Sequence, residues 1–133
     1  MSPRRDEWEQ LIAAGERDCI AFRILARDHE APSEILLFHA QQAAEKFLKA
    51  VLAAKGIVYR RTHDLLELVE LLAANGFEVP ADRDAMVRLG PYAVEFRYLG
   101  AIAPEVTRSE AQTVIESLRS WAKGQFAATD EAD

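Results

Sequence analysis

Residues 38–50 read FHAQQAAEKFLKA, and the fold turns on where this helix puts its polar groups. At 100° per residue, Leu36, Ala40, Ala43, Phe47, Val51 and Ala54 gather around one direction, and Leu37, Ala44 and Leu48 widen that face to nearly half the circumference. A helix so broadly apolar must touch at least two neighbours, which predicts that it lies at the centre of a helical bundle. Opposite that face, His39, Gln42, Lys46 and Lys49 recur at steps of three, four and three and form one line, bordered by Glu45. Two readings of the line stand at this point. It is a solvated face, with a Glu45–Lys49 pair worth about 0.3 kcal/mol, or it is a polar strip facing a groove or a second subunit.

The rest of the chain reads as helix as well. Trp8, Leu11, Ile12, Gly15, Cys19, Phe22 and Ala26 step by three and four through a first helix over about residues 6–28. HEAPSE breaks it, and Ser33 is the expected N-cap of the central helix, which runs to about Lys55 with Gly56 at C′. Asp64 and Glu67 form a capping-box pattern before LLELVELLAAN, closed by Gly76. A fourth segment starts near Asp84, is interrupted at Gly90-Pro91, and continues through YAVEFRYL. Ser109 with Gln112 suggests the cap of a fifth helix whose inward face carries Ala111, Val114, Ile115, Leu118, Trp121 and Ala122. The expectation is an all-α, up-and-down bundle of about five helices forming one domain over 6–126. An acidic tail over 127–133 follows. Phe47, Val51, Leu66, Leu118 and Trp121 are its expected buried side chains.

Composition narrows the function. Of the 133 residues, 29% are charged and half are hydrophobic, an ordinary globular balance. Net charge is −6, so a generic duplex-binding surface is excluded, while local recognition of one phosphate or one RNA segment is not. The single cysteine, Cys19, allows no internal disulfide and, sitting mid-stripe, reads as a small core residue. With no visible targeting segment and no apolar run near the roughly 20 residues that span a bilayer, a cytoplasmic location is expected. The three histidines, His29, His39 and His63, have no HxxxH or HExxH spacing, so no metal site is assigned. His63, directly before the Asp64 cap, reads as structural. Arg60-Arg61 could touch nucleic acid or an acidic partner but reads as a solvated pair, and no glycine-rich phosphate loop is present.

Taken together, FHAQQAAEKFLKAVLAAKGI, then THDLLELVELL, then YAVEFRYLG before a last amphipathic helix, resembles the HEPN domain family over about residues 6–126. The resemblance implies a small helical bundle, commonly a homodimer. Members include ribonuclease toxins of toxin–antitoxin pairs and non-catalytic companions of minimal nucleotidyltransferases. The ribonuclease members carry an arginine followed, after four to six residues, by a histidine. Arg97 matches the arginine, but Ile102, Ala103 and Pro104 occupy the histidine positions. Arginine alone stabilises phosphate charge and moves no proton, so no catalytic residue and no cofactor is assigned.

What survives is binding. Arg97, Tyr98, Lys46, Gln42 and His39 are the candidate ligands of a phosphate-bearing nucleotide or RNA segment, with Glu95 and Tyr92 in support. A guanidinium suits bidentate phosphate contact. Glu95 would hold Arg97 when the groove is empty. Tyr92 and Tyr98 either stack on a base or serve core and interface. A separately encoded minimal nucleotidyltransferase is the expected partner, with an altered endoribonuclease or a purely structural dimer as the alternatives.

Overall fold

The computed structural model describes residues 3–93 and 105–132, with side chains over 7–93 and 105–126. Among the described residues there are five α-helices and one 3-10 turn, and no strand. They are α1 (Pro3–Ala26), α2 (Ser33–Ala54), α3 (Leu65–Ala74), α4 (Arg83–Leu89), the turn Gly90–Ala93, and α5 (Arg108–Ala132). None of these helices is long and apolar enough to cross a membrane. The all-α bundle expected from the sequence is therefore present.

α2 occupies the centre, as its broad apolar face requires. Thirteen of its 22 residues are buried, and it meets every other element. α1 runs antiparallel to it, and the two approach closely because Gly15 has no side chain. A Cβ at Gly15 would lie 2.8 Å from Cε1 of Phe47, whose ring is fully buried. Cys19 and Phe22 continue this contact, while Ile115, Leu118 and Ala122 of α5 close the core from the other side. Two of the five expected core side chains are corrected. Leu66 and Trp121 are only half-buried. On α3 the inward positions belong to Leu65, Leu68, Val69 and Leu72, so the buried face begins one residue earlier than expected. Trp121 lies at the edge of the core, where Leu118 and Ala122 already fill the inward direction.

The helix ends show how local chemistry chose between competing signals. Asp64 caps α3, accepting from the backbone N–H groups of Leu66 at 3.0 Å and Glu67 at 3.4 Å. Glu67 does not complete the box; Arg60 takes its carboxylate at 2.6 and 2.8 Å, so Arg60 is not merely solvated. Ser33 is not an N-cap. Pro32 occupies that position with extended backbone and no side-chain cap, and Ser33 is the first helical residue. The Ser109–Gln112 box is also corrected. Thr107 Oγ1 accepts from Glu110 N–H at 3.0 Å, and the Glu110 carboxylate accepts from Thr107 N–H at 3.1 Å. Thr107-x-x-Glu110 fits the same pattern two residues earlier, and a carboxylate gains more than an amide from the helix N-terminus. Arg88, at 2.6 Å, secures it. Gly56 and Gly76 close α2 and α3 with φ of 70° and 87°, the left-handed conformation expected at both.

One tertiary contact ties the ends of the bundle together. The Arg108 guanidinium donates to the carbonyls of Ala26, Asp28 and Ala31 at 2.9–3.0 Å. It caps carbonyls where α1 ends and α2 is about to begin, that of Asp28 accepting from the Ala31 N–H as well.

Candidate functional site

Among the described residues, the polar line of α2 packs against other segments of the chain. It forms a half-buried seam, held between α1 on one side and the 59–63 segment on the other. Asp18 of α1 accepts from His39 Nδ1 at 3.0 Å through one carboxylate oxygen and from Lys46 Nζ at 2.5 Å through the other. Asp18 is almost buried, with 12% of its side chain exposed, against 28% for His39 and 27% for Lys46. An ionised carboxylate can only accept, so Nδ1 carries the His39 proton and Nε2 is left as the unbonded nitrogen.

A second carboxylate repeats the arrangement from α2 itself. Glu45, 7% exposed, bonds Lys49 Nζ at 2.9 Å and His63 Nδ1 at 2.9 Å. Gln41 Nε2 reaches Glu45 at 3.1 Å and the His63 carbonyl at 3.1 Å, and its own carbonyl oxygen accepts from Gln42 at 2.7 Å. Burial pushes the Glu45 carboxyl up, but the bonds from Lys49, His63 and Gln41 more than offset this and hold it below the usual range. The Glu45–Lys49 pair expected as a weak solvated contact is thus part of a buried network. His63, next to the Asp64 cap, joins this network through Nδ1 and its carbonyl oxygen.

Beyond Lys49 the seam widens into a recess of about 540 Å³. Glu7, Leu11, Lys49, Ala53, Tyr59 and Arg61 are among the residues around it. Tyr59 donates to Glu7 at 3.2 Å, and burial together with the Glu7 charge pushes its phenol up to about 12, so it acts only as a neutral hydroxyl. The Lys49 ammonium sits 5.9 Å from the centre of the Tyr59 ring. Among the described residues no group of histidine, cysteine and acidic side chains could hold a metal ion.

Of the candidate ligand residues, His39 and Lys46 are brought together on Asp18, and Gln42 lies between them along the helix. Tyr92 is buried in the core, 6% exposed. Arg97, Tyr98 and Glu95 lie outside the described residues. Asp18 and Gln41 escaped the sequence reading. Asp18 had a signal: it sits between Gly15 and Phe22 at steps of three and four, a lone acid inside the apolar stripe of α1. Asp18 changes the electrostatics of the strip. Asp18 and Glu45 formally balance Lys46 and Lys49, so an incoming anion must compete with a carboxylate for Lys46.

No curated protein and no solved structure matches the chain. A profile of the HEPN domain matches residues 8–121, which takes in most of α1, all of α2, α3 and α4, and the first half of α5. With the match spanning most of its length and an all-helical bundle built around α2, the chain belongs to the HEPN domain family.

Proposed function

We propose that this HEPN domain is a binding and interaction module. It takes a nucleotide or RNA phosphate at the α2 seam together with Arg97, and it works with a separately encoded minimal nucleotidyltransferase in a toxin–antitoxin setting. The observation that carries the reading is the pair of donors on Asp18. His39 and Lys46 are each about a quarter exposed and gathered on one nearly buried carboxylate, so a phosphate entering the seam meets an already positioned ammonium and competes with Asp18 for it. Lys46 can turn from Asp18 to a phosphate, and Arg97 would supply the bidentate contact. The chain acts as a homodimer whose interface includes residues 92–99.

Calorimetric titration with ATP and with a short single-stranded RNA at low salt tests the ligand. Binding that weakens with salt, falls further in Lys46→Ala, and is reduced by Arg97→Lys supports the seam. No binding of either probe, or binding indifferent to both substitutions, overturns it. A neighbouring reading frame encoding a nucleotidyltransferase, with a GS and then paired aspartates, would support the partner.

One observation favours a second reading. His39 is held through Nδ1 with Nε2 unbonded, the arrangement of an oriented proton acceptor. In that reading the domain is a metal-independent endoribonuclease whose altered site uses His39 in place of the absent histidine. Cleavage of single-stranded RNA in EDTA that is lost in both Arg97→Ala and His39→Ala selects it over the binding module.

A further inference from the structure

The outward face of α1 departs from the rest of the surface. Ile20 and Ile24, one turn apart, are 52% and 60% exposed, and Ile35 at the start of α2 is 37% exposed. Ile35 shares the α2 line of His39 and Lys46 that faces Asp18, whereas Ile20 and Ile24 stand about 200° and 240° round α1 from Asp18, so Ile35 lies on another face. Ile20 and Ile24 together form a small exposed apolar cluster on the outward face of α1.

Arginines frame the cluster in a protein of net charge −6. Arg17 lies three residues before Ile20 and Arg27 three residues after Ile24, and both are exposed. Neither has a hydrogen bond or ion pair with another described residue. Arg23 uses its Nε on the Cys19 carbonyl and is otherwise exposed. The helix cannot roll to hide the isoleucines. Gly15 is pressed against Phe47, Asp18 is bound to α2, and Glu16 pairs with Arg119 and Lys123 of α5.

We propose that this face docks an acidic amphipathic helix from a partner chain. Its apolar side chains at steps of three and four would cover Ile20 and Ile24, and glutamates or aspartates on either flank would meet Arg17 and Arg27. The two arginines are separated by about 15 Å of helix, the length of two to three turns. A second copy of this chain fits less well. Antiparallel pairing of two α1 helices about the isoleucines sets Arg17 level with Arg27 of the other copy, and parallel pairing sets each arginine against itself. A nucleic-acid backbone would satisfy the arginines but leave half-exposed isoleucines against phosphates. A lipid surface would receive a few isoleucines from a helix whose opposite face is locked into the bundle, too little apolar area for stable anchoring. The proposal stands independently of what occupies the α2 seam and of the enzymatic class of the partner.

The test is fluorescence anisotropy with the full chain and a labelled helical peptide of about 15 residues, long enough for marginal helicity, carrying leucines on one face and glutamates elsewhere. The lysine counterpart of the peptide is the control. The glutamate peptide should bind and the lysine peptide should not. Ile24→Asp should abolish binding, and Arg17→Ala with Arg27→Ala should weaken it about tenfold or more at low salt, less at high salt. Thermal melts of the variants should match the parent, since all three positions are exposed. Absence of glutamate-peptide binding, or its persistence in Ile24→Asp, overturns the proposal. So does sedimentation showing a dimer of the full chain that Ile24→Asp dissociates. Phosphatidylserine vesicles or single-stranded RNA bound in an Ile24-dependent way would overturn it equally.

Discussion

Replacing Gly15 by alanine sets two effects of opposite sign against each other. Inside a helix, glycine to alanine gains about 1 kcal/mol, largely by reducing the freedom of the unfolded chain. At this position the new Cβ would stand 2.8 Å from Cε1 of Phe47 and 3.1 Å from two further ring carbons. Ordinary contact between such atoms begins near 3.5 Å, so α1 or the ring must retreat by roughly half an ångström or more. Phe47 is fully buried within a packed core and has no flexible end to give way. Overpacking of this kind costs about 1–3 kcal/mol. The overpacking term wins, and Gly15→Ala should be destabilised by about 1 kcal/mol net, lowering Tm by about 3–5 °C for a chain of this size. Guanidinium unfolding followed by circular dichroism measures it. Phe47→Leu, costly alone, should make room, so that Gly15→Ala in that background becomes neutral or stabilising, a coupling of about 2 kcal/mol. If Gly15→Ala stabilises the parent, or the cycle shows no coupling, α1 and α2 do not pack at the distance described.

Three further outcomes follow from particular contacts. Glu45 titrates below its ordinary range in the folded state, so its network contributes stability above the unfolded pKa, about 4.3, and loses it as pH falls through the folded value. Glu45→Gln should therefore cost about 2–3 kcal/mol at neutral pH and flatten the decline in stability under acid; parallel acid profiles for the two proteins would refute this. Arg108→Ala removes the donor for three carbonyls at the α1–α2 junction and should cost about 1–2 kcal/mol, water replacing part of the loss; an unchanged denaturant midpoint would show that the contact contributes nothing. Burial pushes the Cys19 thiol up to about 11, so thiol reagents at pH 8 should leave the native chain unmodified and label it on unfolding; native labelling at the rate of a free thiol would contradict its place in the core.

The sequence determined what local interactions can determine. Residue spacing within each segment predicted an all-helical chain, and the breadth of the apolar face on α2 placed that helix at the centre. Gly56, Gly76 and Asp64 marked helix ends because a positive φ or a short capping acceptor is decided within a few residues. Tertiary structure decided how the polar line of α2 is used. Its partners are remote in the chain: Asp18 is 21 positions from His39 and 28 from Lys46, and His63 is 18 from Glu45. Periodicity sees one helix at a time and gives the same stripe whether a carboxylate from another helix meets it or water does. The same limit explains the misplaced cap of α5, where two overlapping patterns fit locally and Arg88, 22 positions from Glu110, secures the one that forms. Helix, stop and centre lie in short-range sterics and hydrophobic pattern; burial of charge depends on which distant groups the packed chain brings within three ångströms.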